Sequence, residues 1–425
     1  MAKNEIISVL SVGTAHSVAL VGEIPENGAV QLRGIGVGEM SGMRKARMSN
    51  PDYIEPGVRT ALQQAKDSSG CDIHDVYLLV SHGDVRSELR QFSVDVEDSD
   101  GFVSDADVGK LQEMCSRLEP PPGRELLATN WLYYSTDTAP KLIDPKVARG
   151  RKLTLHVLLV HAPELVTDSL LDFLEPRLDL FGNNDDVVFT GMAGALAGLD
   201  ESLRKDGALY IDFGAGSTSW CGYADGHPVC CGAIPIGGDH VTNDVFSAFR
   251  PGSSKAAERL KCDHGRAVLS GIDPAARVEV APEPGRRSQT VSHRALAQVI
   301  NARMDETLRL IRARLAEDGT LDRLGAGIVI GGGGALLDGL DELVESVFGV
   351  RCRRVKLRTG IRLFDEQPEL YATAWGGLLA ASKMFLNEQE ANPHEPWWKR
   401  LFAKLFTETP DAPAGTESPK TEERA

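Results

Sequence analysis

Three glycine-rich turns, each directly following a stretch of strand character, are the places where this backbone could meet an anion: Gly13-Thr14, the run Asp212 to Ser219, and Gly331 to Gly334. Glycine leaves the N–H groups of such a turn unshielded, and a helix opening behind it adds positive potential. A single turn of this kind also serves as a ligand-free corner between strand and helix. Three of them, spread over two halves of a chain, are what a nucleotide clamped between lobes needs. Two hairpins would hold phosphates, through Gly13 and Thr14 on one side and Gly214, Gly216, Ser217 and Thr218 on the other. A loop of Gly332, Gly333 and Gly334 would lie near the nucleoside. The Gly13 turn is expected to use glycine's freedom at positive φ. No Ser-His-Asp or Cys-His arrangement stands out, and His16 and His240 read as ordinary side chains rather than proton carriers.

A second chemical signal follows Pro393 to Pro396, in Trp397-Trp398-Lys399-Arg400-Leu401-Phe402-Ala403-Lys404-Leu405-Phe406. At about 100° per residue, the tryptophans, leucines and phenylalanines fall on one half of a helix, and Lys399, Arg400 and Lys404 on the other. That segregation fits a helix lying in a membrane interface, with its apolar face among headgroups and its cations on anionic lipid. Residues 407–425, rich in Pro, Thr and Glu, are expected to be disordered.

The elements that must position these groups can be read from periodicity. Ile6 to Val21 reads as a hairpin, Gln31 to Val37 as a strand, Tyr53 to Lys66 as a helix, and Val76 to Val80 as a buried strand. Pro120-Pro121-Pro122-Gly123 excludes a helix or central strand at that point, and the change of texture up to His161 marks an inserted subdomain. Leu155 to Val160 is a further buried strand, Pro163 to Leu180 a helix, and Tyr210 to Tyr223 a second hairpin. Two like hairpins imply a duplicated architecture with a cleft between lobes. Pro251 to Gly319 is charged and mostly helical, and Ala335 to Phe348 reads as one helix behind the glycine run.

Composition bounds the possibilities. With 425 residues, 42% hydrophobic and 25% charged, most of the chain folds as a soluble protein of several domains. A net charge of −15 repels phosphate backbones and argues against a nucleic-acid partner. The seven cysteines form no CxxC or Cys/His metal pattern, so no metal site is assigned to them, and they read as reduced cytosolic thiols. No secretory leader and no spanning segment is legible.

These residues resemble the actin-like ATPases and, within them, the bacterial cell-division family FtsA. The most specific match is Ile236-Gly-Gly-Asp-His-Val-Thr-Asn-Asp244. Supporting it are Gly36-Val-Gly38, Ser41-Gly-Met-Arg-Lys45, Glu258-Arg-Leu-Lys261, Gly327 to Leu340, and Tyr371-Ala-Thr-Ala374. The resemblance runs from about Ile6 to Phe406. It implies an α/β, actin-like two-lobed fold with an FtsA-type inserted subdomain, and adds Gly237, Gly238, Glu258 and Lys261 to the ATP-binding residues. It implies an adaptor that tethers a polymer of FtsZ to the cytoplasmic face of the inner membrane at the division site. Such an adaptor associates with itself into filaments and contacts other division proteins. Arg303 occupies the position where the family has an arginine near the site for the C-terminal tail of FtsZ.

The departures matter as much. Where the family carries an acidic residue before the first glycine turn and a lysine after it, this chain has Ser11 and His16. The second hairpin has Ala215 for a glycine and Ser219 for the closing carboxylate, which leaves Asp212 as the catalytic candidate. Magnesium bridging phosphates is held through carboxylates, so hydrolysis should suffer more than nucleotide binding. Ala215 would also obstruct the backbone if its position needed positive φ. The expected division is a first lobe of 1–84 and 162–195, an insert of 85–161, and a second lobe of 196–240 and 319–386 with a small helical part at 241–318. A linker (387–396), the helix 397–406 and the tail 407–425 follow. An actin-fold phosphotransferase and a pilus-assembly scaffold of the same fold are the alternative readings.

Overall fold

A computed structural model describes residues 5–25, 30–182, 186–280, 289–317 and 319–390. Alternating apolar residues in Glu5–Val12 and His16–Ile24 build an antiparallel hairpin, which Gln31–Glu39 extends. Tyr77–Val80 and then Val187–Phe189 add parallel strands on the other side. The second lobe repeats the plan. His227–Ile234, Thr218–Ala224 and Ala208–Phe213 are antiparallel neighbours, and Gly327–Gly331 and Cys352–Arg354 follow in parallel. The duplicated architecture expected from the two hairpins is therefore present at the level of whole five-stranded sheets.

The helix Pro51–Ser69 begins at Asn50, whose side chain accepts the Asp52 N–H, and ends at Gly70 in the left-handed region (φ 69°), the usual arrangement of caps. It lies directly on the strand Gln31–Glu39 because that strand presents glycines on alternate residues. A Cβ on Gly36 would stand 1.8 Å from the Ala61 carbonyl oxygen, and one on Gly38 would stand 1.9 Å from that of Gly57. The inserted segment forms its own sheet, ordered Arg86–Asp95, Lys152–Pro163, Arg124–Thr136, with helix Asp105–Ser116 against it. Leu111, Trp131, Leu153, Leu155 and Val157 make a separate core there.

Two helices join the lobes. Thr190–Gly198 and Pro368–Glu390 cross so closely that a Cβ on Gly376 would stand 1.8 Å from the Ala193 carbonyl oxygen. Small residues at a crossing bring with them the buried side chains of both sheets, and Leu378, Tyr210 and Leu79 belong to one continuous core.

Several expectations are corrected. The strand Lys152–Pro163 runs through the proposed start of the next helix, which is Val166–Leu178 rather than Pro163 to Leu180. The segment read as Ala335 to Phe348 is a 3₁₀ turn, Gly333–Leu336, followed by helix Leu340–Phe348, because Gly339 takes φ 73° between them. The charged stretch from Pro251 contains a two-stranded ribbon, Arg277–Val280 with Gln289–Ser292, beside helices Ser254–His264 and His293–Glu317. Residues 397–406 and the tail lie outside the described residues. No helix among the described residues is long and apolar enough to cross a membrane.

Candidate nucleotide site

The two glycine hairpins have the same closure. Gly13 donates its N–H to the His16 carbonyl, and Gly214 donates to the Ser217 carbonyl, both at 3.0 Å. Gly13 is not in the left-handed region, contrary to expectation. Glycine is needed there for close approach, since a Cβ would meet the His16 carbonyl oxygen at 2.6 Å. Ala215 is not in the left-handed region either, so the substitution strains nothing in the backbone. The tips face each other across the lobes. A Cβ on Gly216 would stand 2.3 Å from Thr14 Oγ1 and 2.8 Å from the Ala46 backbone nitrogen.

Ala46 belongs to a feature that the sequence did not disclose. Met43–Arg44 and Arg47–Met48 pair as a miniature hairpin whose turn residues, Lys45 and Ala46, hold φ 51° and 55°. Side chains at positive φ cost about 1 kcal/mol or more each, and glycine or asparagine is the usual occupant of such a turn. This strained turn is thus fitted against the tip of the second hairpin. Its neighbour Arg47 donates from Nε to His82 Nε2 at 2.8 Å. Burial above all, with Arg47 beside it, pushes the His82 imidazole down to about 4.

Behind the second hairpin stands helix Gly238–Phe249, capped by Gly237. Gly238 and Asp239 donate their N–H groups to the Gly214 and Ala215 carbonyls, each at 2.9 Å. The first N–H groups of the helix therefore brace the hairpin. His240 takes a structural role by accepting the Gly237 N–H on Nδ1. The Thr242 hydroxyl has both the Gly238 carbonyl and Glu258 Oε2 within reach as acceptors for its one proton. Lys261 joins the same group, reaching Glu258 at 2.7 Å and Thr242 Oγ1 at 3.0 Å, with Gly238 beside its amine. Glu258 and Lys261 are consequently brought to one place with Gly237 and Gly238. The Thr218 hydroxyl is spent inside the lobe, donating to the Ile236 carbonyl.

Asp212 ends the strand Ala208–Phe213 opposite Gly331. Burial pushes its carboxyl up to about 6, against the opposing effect of the Thr373 hydroxyl, which donates to Oδ2 at 2.9 Å. Thr373 lies in Tyr371-Ala-Thr-Ala374, a run the sequence reading noted only as a family resemblance. Gly332, at φ 80°, is packed against this carboxylate, where a Cβ would meet Oδ1 at 2.2 Å. The Gly332 N–H donates to the Glu369 carbonyl at 2.9 Å, so this glycine orders Asp212 rather than offering a donor to an anion. Around Gly333 the first atom met is Leu370 Cδ2 at 3.7 Å, so that loop position is open. No group of acidic, histidine or cysteine side chains among the described residues could by itself hold a metal ion.

Arg303 lies on helix His293–Glu317. Its guanidinium forks onto Asp244, with Nε to Oδ2 at 2.6 Å and Nη2 to Oδ1 at 3.2 Å, and Nη1 reaches Glu306 at 2.5 Å. It is neither free nor merely solvated: it ties two helices of the second lobe together.

The family model for "Cell division protein FtsA" matches residues 209–376. Cell division protein FtsA of Borreliella burgdorferi is 28% identical over 354 residues, spanning 83% of this chain and 84% of the relative. That of Escherichia coli is 28% identical over 421 residues, 95% of this chain and 98% of the relative. Among solved structures, a chain of a PilM-PilN type IV pilus biogenesis complex superposes with a TM-score of 0.59 at 16% identity, covering 88% of this chain and 98% of that one. That likeness bears on the fold alone. The two-lobed α/β fold with its paired glycine hairpins, and sequence similarity that runs along most of the chain, make this chain similar to the FtsA cell-division proteins.

Proposed function

We propose that this protein is an adaptor that attaches FtsZ polymers to the cytoplasmic face of the inner membrane, and that ATP serves it as a clamp between lobes more than as a fuel. The observation that carries the second half is the facing pair of hairpins, Thr14 against Gly216, beside a cleft where Ser11 and Ser219 replace carboxylates. Asp212 is the acidic group left at these positions, and its carboxylate is already engaged by the Thr373 hydroxyl and packed against Gly332. ATP bound between the hairpins stabilises the closed form by mass action, and hydrolysis is slow or absent. The resemblance to a pilus-assembly scaffold rests on fold only, whereas similarity to the division proteins extends along the sequence. The phosphotransferase reading is weakened by Ser11 and Ser219, which stand where carboxylates are expected.

Attachment is assigned to residues 397–406. A ten-residue helix would reach about 15 Å, half of the roughly 30 Å hydrocarbon core, too short to cross it. Three cations there contribute about 1 kcal/mol each near an anionic surface. One such anchor is reversible, and self-association into filaments makes it persistent. An acidic FtsZ tail reaching Arg303 exchanges for Asp244 in the fork.

Liposome co-sedimentation tests the attachment. The full chain should pellet with anionic vesicles at physiological salt, whereas Trp398→Glu and a chain stopped after Ala391 should stay largely in solution. Equal binding by all three would place the anchor elsewhere and remove the main argument against an enzyme.

A further inference from the structure

Cys221 and Cys231 face each other across the antiparallel strands Thr218–Ala224 and His227–Ile234. The Cys231 thiol donates to the Cys221 sulfur with 3.3 Å between the two atoms. Facing residues in such a pair have Cα atoms about 4.5–5.5 Å apart, inside the range of about 4.4–6.8 Å that a disulfide spans. Bonding therefore requires the sulfurs to close by a little over 1 Å, to about 2.05 Å, without separating the strands. Cys230, adjacent in sequence, points to the other face of the sheet, where its sulfur packs against Gly222.

The pair sits at a seam. Cys231 donates its N–H to Ser87 Oγ at 2.8 Å, and Ala233 donates to the Val85 carbonyl at 3.0 Å, so this strand of the second lobe is docked on the root of the inserted subdomain. Cys221 is wholly buried and Cys231 nearly so. A cavity of about 270 Å³, lined in part by Val85, Ser87, Trp220, Cys231 and Gly232, lies beside this strand.

We infer that Cys221 and Cys231 are a modification site that closes to a disulfide on exposure to hydrogen peroxide. The Cys231 thiolate attacks one peroxide oxygen. An S–O bond forms, the O–O bond breaks, and hydroxide leaves and takes up the thiol proton as water. The Cys221 thiol then attacks the sulfenic sulfur, the S–S bond forms, and the S–O bond breaks with loss of a second water. Two thiols are oxidised by two electrons in all, and one peroxide is reduced to two waters. Burial, with Cys221 alongside, pushes the Cys231 thiol up, so the first step is slow at neutral pH and quickens in mildly alkaline buffer.

The test treats the full chain with hydrogen peroxide, alkylates the remaining thiols after unfolding, and maps non-reduced peptides cut after Tyr223. The expected result is a Cys221–Cys231 link that forms faster in alkaline than in acidic buffer and persists in Cys230→Ala. In Cys221→Ala the link is absent and a sulfenic acid on Cys231 is trapped by dimedone. Exposed Cys262 reports that oxidant reached the protein. Oxidised Cys262 beside fully alkylated Cys221 and Cys231, or a link that uses Cys230, would overturn the inference.

Discussion

In both glycine hairpins the leading glycine closes the turn onto the carbonyl three residues on, but what holds each turn from outside is different. The Gly214 turn accepts two N–H groups from the start of helix Gly238–Phe249, is tied through Thr218 to Ile236, and adjoins an Asp212 fixed by Thr373 and Gly332. The Gly13 turn has the Met40 N–H on the Ala15 carbonyl and the Ser17 hydroxyl on the Ser11 carbonyl. The difference separates two tasks within one cleft. The second hairpin is set in place before any ligand arrives, and the first follows its lobe. Under the proposed clamp, affinity for phosphate would depend on how Thr14 and the strained Lys45-Ala46 turn meet Gly216, and charge neutralisation on Asp212.

Substitutions can break this contrast, and the largest effect should come from the buried carboxyl. Because folding raises the Asp212 carboxyl from its ordinary 3.8 to about 6, the folded state binds the proton more tightly. This group's contribution is least unfavourable at pH values below 3.8, and stability is lost as pH rises through that window to about 6. Asp212→Asn should remove that loss, gaining at most about 3 kcal/mol over wild type above the window and little below it. Urea unfolding at both ends of the window checks it. A gain independent of pH would show that the carboxyl is not buried as described.

A middling effect is expected at the meeting of the tips. Gly216→Val places a side chain against Thr14 Oγ1 and the Ala46 nitrogen. Overpacking of this kind costs about 1–3 kcal/mol. It should hold the lobes apart and weaken ATP at least about tenfold, or about 1.4 kcal/mol. Thermal melting with and without ATP measures it, and an unchanged shift would mean that the hairpins do not close on the nucleotide together. The smallest effect belongs to Thr373→Val, which leaves the Asp212 carboxylate short of a donor at a cost of about 1 kcal/mol. Since the hydroxyl opposes the upward push of burial, its loss should also move the upper end of the pH window higher. A window that stays in place would remove Thr373 from the account.

The hairpins and the glycine run were legible because strand alternation and glycine placement are local. So was the long helix Pro51–Ser69, with its apolar residues at helical spacing and its proline at the start. Thr190–Gly198 was not legible, because a helix enclosed by Gly, Ala and Thr on most sides has no polar face to set a period. Val187–Phe189 is too short to carry a pattern. At the site, Gly332 was legible as a glycine but not as the residue against which the Asp212 carboxylate is packed. Nor was the bond between Thr373 and Asp212, groups 161 residues apart. The fork of Arg303 on Asp244 was hidden for the same reason, since nothing local marks a contact made by folding.

ATP binding and turnover, measured side by side on the full chain with magnesium present, test the central claim most directly. The expected result is saturable ATP binding that raises the melting temperature, with phosphate release near the uncatalysed background and unchanged in Asp212→Ala. Magnesium-dependent turnover at about 1 s⁻¹ or faster, the ordinary range of enzymes, abolished by Asp212→Ala, would contradict it.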